Sequence, residues 1–249
     1  MSREMNHLAI VGATGAVGRE VCLLIGRLGS PPPRISLLAS ARSAGREIQV
    51  AGERLAVREL TPDAFAGVDF AIFSAGGDRS KEFAPHAVRA GAVVIDNSSA
   101  FRMDAEVPLV VPEINPKDAK QHHGIIANPN CSTIIMNMVV WPIHRVNPVQ
   151  RIVVSTYQAA SGAGAAAMEE LRSQTAAVLE GRPCVPSVFP VPSAFNLFSH
   201  NTPIGADGYN TEERKMIDET HKIFHDETIR IAATCVRVPV LRAHSESIN

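Results

Sequence analysis

A glycine-rich turn near the amino end constrains the fold of this chain more than any other feature. The segment Gly12-Ala13-Thr14-Gly15-Ala16-Val17-Gly18 follows the apolar run Leu8–Val11 and precedes a helical pattern. Glycines spaced in this way let the backbone approach a pyrophosphate, which then sits at the positive end of the helix. The turn therefore predicts a dinucleotide-binding βαβ unit, with a tight strand-to-helix turn that binds nothing as the alternative.

From residue 7 to about 127, short apolar runs alternate with helical patterns. The apolar runs are Leu8–Val11, Ile35–Ala39, Phe70–Phe73 and Val93–Ile95, and the helical patterns are Val17–Leu28 and Lys81–Ala90. Strands that read as continuous apolar runs are typical of parallel sheets covered by helices on both faces. The first part of the chain is therefore predicted to be a Rossmann-type, doubly wound α/β domain.

The pattern changes after residue 130. Strands are predicted at Ile152–Tyr157 and Ile231–Val240, helices at Ala163–Leu179 and Thr211–Glu227, and a loop over 183–210. This change in pattern predicts a domain boundary, with one domain over residues 1–130 and a second, α+β domain over residues 131–249.

Composition excludes several classes of function. The chain has 249 residues, a formal net charge of −1 and no Lys/Arg-rich segment, which argues against nucleic-acid binding. No apolar stretch reaches the roughly 18 residues of a membrane span, and no signal peptide precedes the first strand, so we expect a cytoplasmic protein that does not bind membranes. Its four cysteines form no C-x-x-C pair, and His221 and His225 have no evident third ligand, so we expect neither disulfides nor a metal site.

Cys131 is the residue with the clearest chemical signal. It follows Asn128-Pro129-Asn130 and precedes an apolar run with helical spacing, so it should lie in the first turn of a helix that Asn130 caps. Unpaired N–H groups at a helix start stabilise a thiolate and lower the cysteine pKa, which makes the residue a nucleophile. The alternative is a buried, unreactive cysteine.

The turn after the second predicted strand bears on the choice of cofactor. It carries Arg42 between Ser40 and Ser43, where an NAD-selective site would place an acid against the ribose 2′-hydroxyl. A guanidinium flanked by hydroxyls favours a 2′-phosphate and hence NADP, with a solvated polar turn as the alternative. Ser74 and Gly76 form a second place where small residues let the backbone reach the cofactor. The predicted contacts in the glycine-rich turn are Gly12, Thr14, Gly15, Ala16, Val17 and Gly18.

A thiolate beside a nicotinamide site suggests that the thiolate adds to an aldehyde, hydride leaves to NADP⁺ and a thioester remains. Such a route needs an acid/base, a group that orients the intermediate, and cations for anionic substrates. Six segments supply candidates: GATGAVG, NSSAFR at 97–102, NPNCST at 128–133, TYQAASGAG at 156–164, NTEERK at 210–215 and CVRVPVLRAHS at 235–245. Together they resemble the aspartate-β-semialdehyde dehydrogenase family, which is NADPH-linked and acts in lysine, threonine and methionine biosynthesis.

The resemblance implies a role for each matching residue. Cys131 is the expected nucleophile, His244 the general acid/base, and Gln158 the group that orients the substrate or thioester. Arg237 is expected on the substrate carboxylate, Glu212 on its ammonium, and Arg102 and Lys215 on phosphate. Without the motif, acids at 212 and 213 would suggest only a solvated first turn of helix. The resemblance also adds Asn97, Ser161 and Gly162 to the expected cofactor contacts.

The resemblance further implies a second domain that serves catalysis and dimerisation, in a homodimer or homotetramer that takes a small-molecule substrate and phosphate. Members of the family continue beyond the position of Asn249, so we expect this domain to be incomplete at its carboxyl end. Two alternatives stay open. One is an enzyme like N-acetyl-γ-glutamyl-phosphate reductase, against which the N-C-S-T and E-E-R-K elements argue; the other is a non-catalytic NADP-binding or interaction protein.

Overall fold

The computed structural model describes residues 5–29, 32 and 34–249, and the chain divides into two units between Pro129 and Asn130. This division lies one residue before the predicted boundary. Each unit has its own sheet.

The first unit is built on a seven-stranded sheet. Its strands are β1 (His7–Val11), β2 (Arg34–Ala39), β3 (Glu47–Val50), β4 (Glu53–Glu59), β5 (Phe70–Phe73), β6 (Val93–Asp96) and β7 (Ile125–Ala127), and its helices are α1 (Ala16–Ile25) and α2 (Gly77–Arg89). The spatial order is β3-β4-β2-β1-β5-β6-β7, and every pair is parallel except β3 with β4. The predicted Rossmann-type α/β domain is confirmed.

The two helices cover opposite faces of this sheet because successive side chains of a strand point to opposite sides. On β1, Leu8 and Ile10 pack with Cys22 and Ile25 of α1. Ala9 and Val11 instead pack in the cluster that contains Phe83, Ala84 and Ala87 of α2. All five residues of β1 are buried, which explains the uninterrupted apolar run Leu8–Val11.

The second unit contains a four-stranded sheet and three helices. Its elements are α3 (Cys131–His144), β8 (Arg151–Gln158), α4 (Ala165–Leu179), β9 (Phe198–Ser199), α5 (Thr211–Phe224), β10 (Arg230–Arg237) and β11 (Ser245–Ile248). The strand order is β11-β8-β10-β9, with β8 and β10 parallel and the two outer strands antiparallel to them. On β8 the buried residues alternate with exposed or half-buried ones, as expected for a sheet with one covered face.

The loop over 183–210, which lacks regular structure except for β9, is held to α4 by two buried side chains. The Glu170 carboxylate accepts hydrogen bonds from the backbone N–H groups of Ser187, Val188 and Phe189. Gln174 Oε1 accepts from the N–H groups of Ser193 and Ala194. This attachment fixes Phe189, whose ring lies against the functional site described below. No helix in the described part of the chain is long and apolar enough to cross a membrane.

Candidate active site

A cleft of about 710 Å³ lies in the first unit, where the carboxyl ends of β1, β2, β4 and β5 meet. Six of the residues predicted to contact a cofactor line it: Gly12, Thr14, Gly15, Ser40, Arg42 and Ser74. The guanidinium of Arg42 is exposed, as a ligand-binding cation should be. The edge of a parallel sheet at the carboxyl ends of its strands is where open α/β folds bind ligands.

The glycine-rich turn is packed too tightly for side chains. Gly12 has φ +85°, and a Cβ there would lie 2.5 Å from the carbonyl oxygen of Ser74. A Cβ on Gly18 would overlap the carbonyl of Gly12, so this glycine lets α1 pack against the turn. The turn thus leaves backbone exposed to the cleft at the start of α1, and these residues fit a dinucleotide phosphate.

Other predicted cofactor residues of the first unit lie outside the lining of the cleft. Ala16 and Val17 begin α1, and Gly76 is the N-cap of α2 with φ +90°. Ser43 is buried, and its hydroxyl accepts a hydrogen bond from Thr14 Oγ1 at 3.5 Å. Asn97 Oδ1 accepts from Asn128 Nδ2 at 2.6 Å.

Sequence reasoning missed two charged residues of the cleft, Glu59 and Arg79. Glu59 is the last residue of β4 and lies beside Ala39 at the end of β2. A ribose-binding acid is expected at the end of β2, whereas Glu59 ends β4, the strand beside it, and so gave no signal in the sequence. Arg79 lies in the first turn of α2 and pairs with Glu82, a local ion pair that gives no signal of a ligand site.

In the second unit, Cys131 is the first residue of α3 and its side chain is exposed, so the alternative of a buried cysteine is wrong. Asn130 caps the helix, as predicted: its Oδ1 accepts from the N–H groups of Ser132 and Thr133. The expectation of unpaired N–H groups around the thiol needs correction here, because the cap occupies these two. The positive end of the helix dipole remains beside the thiol.

Asn130, the N-cap of α3, is hydrogen-bonded to Glu212 in the first turn of α5. Glu212 Oε1 accepts from Asn130 Nδ2 at 2.8 Å and from Gln158 Nε2 at 3.1 Å, and its Oε2 accepts from Lys215 Nζ at 3.0 Å. Burial alone would raise the pKa of Glu212, but the Lys215 ammonium and the hydrogen bonds outweigh it and lower this pKa to about 2. Glu212 is only 5% exposed, so the alternative of a solvated first turn is wrong.

Gln158, at the end of β8, connects the Glu212 carboxylate to α3. Its Nε2 also donates to Ser132 Oγ at 2.8 Å, in the residue after the thiol. Its Oε1 is buried and has no hydrogen-bond partner among the described residues. A buried acceptor without a partner is costly, so it marks a place where a ligand or water would be stabilised.

The residue after Gln158 joins His244 and Arg237 through its backbone. The Ala159 N–H donates to His244 Nδ1 at 2.9 Å, and the Ala159 carbonyl accepts from Arg237 Nη1 at 2.8 Å. Because Nδ1 accepts, neutral His244 carries its proton on Nε2. Burial and the Arg237 charge lower the pKa of His244, which favours this neutral form. The sequence could not predict these bonds of Ala159, because the backbone N–H and carbonyl form them whatever the side chain is.

Gly162 lies against both of these side chains. A Cβ there would be 2.9 Å from His244 Cε1 and 3.4 Å from Arg237 Nη1. Ser161 precedes it in the same unit, and its N–H donates to the Leu241 carbonyl at 3.0 Å. The structure therefore places Gly162, predicted as a cofactor contact, beside the predicted acid/base and the predicted carboxylate ligand.

Arg102, a predicted phosphate ligand, belongs to the first unit. It is buried, and its Nε donates to the Asn128 carbonyl at 2.9 Å. Within the described residues, no three His, Cys, Asp or Glu side chains are arranged to hold a metal ion. The Nε2 of His221 lies 2.8 Å from the Ile229 carbonyl and donates to it.

Comparison with known proteins supports one family. A family model described as "Semialdehyde dehydrogenase, NAD binding domain" matches residues 7–122, and "Semialdehyde dehydrogenase, dimerisation domain" matches residues 140–249. The aspartate-semialdehyde dehydrogenase of Synechocystis sp. is 56% identical over 98% of this chain and 72% of its own length. The enzyme of the same name from Bacillus subtilis is 47% identical over 97% of this chain and 72% of its own length.

Solved structures give the same result. Aspartate semialdehyde dehydrogenase II from Vibrio cholerae, in a complex with ASA, has a TM-score of 0.96 and 43% identity, covering 99% of this chain and 74% of that one. The NADP complex from Candida albicans, at 23% identity and a TM-score of 0.72 over 99% of this chain and 71% of that one, shares the fold. The chain therefore belongs to the aspartate-semialdehyde dehydrogenase family of oxidoreductases.

Proposed function

We propose that this chain interconverts L-aspartate 4-semialdehyde and L-4-aspartyl phosphate, with NADP and phosphate, through a thioester on Cys131. The reaction belongs to lysine, threonine and methionine biosynthesis. One observation carries the proposal: an exposed thiol begins α3, and the cap of this helix is hydrogen-bonded to the cluster of Gln158, Glu212 and Lys215. Thiolates at helix starts are nucleophiles, and a neighbouring amide can orient an acyl group.

The residues of the second unit divide the chemistry as follows. The Cys131 thiolate adds to the aldehyde carbon, and the Nε2–H of neutral His244 donates a hydrogen bond to the oxygen, on which negative charge develops. The proton stays on His244, so departure of the hydride restores the carbonyl directly. NADP, when bound, supplies the hydride acceptor. Once the hydride has left, the carbonyl is restored as a thioester, and the unpartnered Oε1 of Gln158 is available to hold the acyl group in place. A phosphate oxygen then attacks the thioester carbon and expels the Cys131 thiolate.

Arg237 and Glu212 serve substrate recognition in this proposal. Arg237 is 3% exposed, and its Nε lacks a hydrogen-bond partner among the described residues, so a donor is available to a carboxylate. Both Glu212 oxygens already accept hydrogen bonds, and a substrate ammonium would share this ionised group with Lys215. Arg102 and Lys215 are the proposed phosphate ligands. We further propose that the chain works as a homodimer, since residues 140–249 match a dimerisation domain.

The choice of NADP rests on the cleft of the first unit. Arg42 lines it with an exposed guanidinium, and Arg79 adds a second cation. Glu59 lines the same cleft and would repel a 2′-phosphate, so the balance between these charges decides the preference. Because Arg79 is itself paired with Glu82, the preference for NADP rests on the exposed guanidinium of Arg42.

The decisive experiment follows NADPH formation by this chain with aspartate semialdehyde, NADP and phosphate. Cys131→Ser should lower turnover by about 1,000-fold or more, because a serine hydroxyl has no comparable population of the anion. Cys184→Ser is the matched control, since Cys184 is a free, half-buried thiol of the same unit, outside the cluster, and should keep its activity. When phosphate is omitted, NADPH should form in a single stoichiometric burst, and mass spectrometry should find an aspartyl adduct on Cys131. Turnover by Cys131→Ser within tenfold of the parent would remove this residue from the mechanism.

The cofactor is tested in the same assay. Arg42→Ala should weaken NADP binding by about tenfold while changing NAD binding little, because only NADP carries the 2′-phosphate. Arg46→Ala, a nearby exposed arginine outside the lining, is its control. Tighter binding of NAD than of NADP by the parent chain would refute the cofactor assignment and leave the thioester route in place.

A further inference from the structure

The guanidinium of Arg237 is held by three neighbours. Its Nη1 donates to the Ala159 carbonyl and its Nη2 donates to His200 Nε2, both at 2.8 Å. Its central carbon lies 5.3 Å from the centre of the Phe189 ring. With its plane supported in this way, Nε–H is a buried donor that lacks a partner among the described residues. The second N–H of each Nη nitrogen is not used by these two bonds, so Nε–H and one Nη N–H form the pair of donors that a carboxylate needs.

His200 is attached to the strand that carries Arg237. It follows β9, which pairs with the end of β10 through Phe198 opposite Arg237, and its own N–H donates to the Cys235 carbonyl at 2.9 Å. These backbone bonds hold the His200 imidazole next to the Arg237 guanidinium. The hydrogen bond between the two side chains therefore starts from a paired strand.

The direction of this hydrogen bond fixes the state of His200. A guanidinium can only donate, so Nε2 of His200 is the acceptor and its proton lies on Nδ1, 3.4 Å from Thr202 Oγ1. Burial lowers the pKa of His200. The Glu212 carboxylate opposes this effect, but the charges of Arg237, Lys215 and His244 add to it, and the pKa is about 4, so the ring is a neutral acceptor at neutral pH. Protonation would place two donors and two positive charges against each other.

We propose that His200 is a positioning residue that sets the orientation of the Arg237 guanidinium and thereby the selectivity for aldehydes that carry an α-carboxylate. This inference rests on the carboxylate role proposed above for Arg237. A bidentate contact needs two N–H groups in one plane, so the rotation of the guanidinium has to be limited before the substrate arrives. Without an acceptor at Nη2, the attraction of the nearby Glu212 carboxylate would draw the guanidinium away from that orientation.

The test compares two substrates and three variants of His200. The substrates are aspartate semialdehyde and 3-aminopropanal, which lacks the carboxylate. His200→Leu removes the acceptor and should raise KM for aspartate semialdehyde by about tenfold or more, whereas kcat/KM for 3-aminopropanal should change less than about twofold. His200→Gln, whose amide oxygen can reach Nη2, should restore KM to within about threefold of the parent.

His200→Asn is the control for a folding defect in His200→Leu. Its amide is polar but too short to reach Nη2, so it should resemble His200→Leu in KM and not His200→Gln. Equal KM values for Leu, Asn and Gln variants and the parent would overturn the proposal. So would a loss that is the same for both aldehydes, because it would indicate a general structural role.

Arg237→Leu separates this proposal from the proposed function. If the parent and Arg237→Leu show the same preference between the two aldehydes, Arg237 does not bind the carboxylate, and the function assigned to it fails. If Arg237→Leu loses the preference while His200→Leu keeps it, the role of Arg237 stands and the role of His200 is refuted. Loss of the preference in both, with rescue by glutamine at 200, supports the two together.

Discussion

At the scale of residues, Gly162 offers the sharpest test of the geometry around His244. Gly162→Ala would place a methyl group 2.9 Å from His244 Cε1 and 3.0 Å from its Nε2, closer than carbon and nitrogen atoms pack. We expect kcat to fall by about tenfold or more, because the ring has to move away from the position that its bond to Ala159 fixes. Fluorescence titration of NADP separates two explanations. If His244 is displaced, the affinity for NADP should stay unchanged, whereas a cofactor contact at Gly162, as the sequence predicted, should weaken NADP binding.

The control is Gly29→Ala, because no described atom lies within 4 Å of the position of its added methyl group. This variant should match the parent in kcat and in NADP affinity. A Gly162→Ala variant with normal kcat and weakened NADP binding would favour the cofactor role instead.

Glu246 gives a prediction about pH. Both of its carboxyl oxygens are buried without a hydrogen-bond partner among the described residues, and burial raises its pKa to about 7. An acid with a raised pKa in the folded state takes up more protons when folded, so its contribution is most favourable below the ordinary pKa near 4.5 and is lost as pH rises to about 7. Glu246→Gln has no such titration.

The difference in Tm between Glu246→Gln and the parent should therefore grow in favour of the variant from pH 4.5 to pH 7 and stay constant above it. Calorimetry or circular dichroism at several pH values measures it. Glu227→Gln, a change at an exposed acid of the same unit, should show no such trend. A difference that does not vary with pH would show that Glu246 titrates normally.

Sequence reasoning predicted the side chains that the structure brings together in the second unit and missed the groups that hold them. Cys131 stood out because a proline and an asparagine precede a helical pattern, and these residue types have positional meaning. His200 lies in a loop without periodicity, and only the pairing of β9 with β10 brings it to Arg237. Contacts that depend on tertiary structure leave no local signal in the sequence.

At the scale of elements, the start of α3 does more than present a thiol. Its Asn130 cap accepts two hydrogen bonds through Oδ1 and donates one to Glu212 through Nδ2. Aspartate is as good an N-cap as asparagine, but it cannot donate. Asn130→Asp would therefore keep the helix cap and place a second carboxylate 2.8 Å from that of Glu212.

We expect Asn130→Asp to lower the free energy of unfolding by about 2 kcal/mol or more at neutral pH, since a hydrogen bond to a charge is lost and two anions face each other. The loss should shrink as pH falls toward 4, where one carboxyl takes up a proton. Asn210→Asp is the comparison variant: Asn210 Oδ1 accepts from one N–H group of α5, that of Glu213, and its Nδ2 lies 3.5 Å from the Ser199 hydroxyl, which tolerates an acceptor. Equal losses in denaturant melts of the two variants would contradict the role of Glu212.

Sequence analysis missed five strands. Three of them, β7, β9 and β11, are only two to four residues long, and the other two, β3 and β4, share a physical cause. The segments of β3 and β4, EIQV and ERLAVRE, mix charged or polar residues with apolar ones and lie at the outer edge of the first sheet, where most of their residues are exposed to solvent. The strand predictions rest on continuous apolar runs, which are typical of central strands such as β1 and β5 and not of strands at an exposed edge. Helix ends were placed within a few residues: α1 ends at Ile25 rather than Leu28, and α2 begins at Gly77 rather than Lys81.

At the scale of the whole molecule, one face of the second sheet is open. Val153 and Tyr157 on β8 are 40% and 44% exposed, and they alternate with the buried Ile152 and Val154. Apolar side chains in the middle of an uncovered sheet are typical of an interface, and the dimerisation-domain match indicates a second copy as the partner. We expect the chain to sediment as a dimer at micromolar concentration.

Val153→Lys should shift this equilibrium toward monomer by about tenfold or more, because a lysine ammonium has to be desolvated in the interface. Val146→Lys is the control, since Val146 is 84% exposed and lies after α3, outside the sheet. Sedimentation velocity over a range of concentrations distinguishes them. Equal dissociation by both variants would place the interface elsewhere than on this face.

The peptide group of Ala159 has a consequence for how the enzyme can vary. Its N–H donates to His244 and its carbonyl accepts from Arg237, so a small rotation of the backbone at this one residue displaces the proposed hydrogen-bond donor and the proposed carboxylate ligand together. No side-chain substitution at 159 can adjust one without the other. Among variants that disturb the end of β8, log kcat and log KM should consequently fall on a single line, so that turnover and affinity for the substrate are tuned as one property.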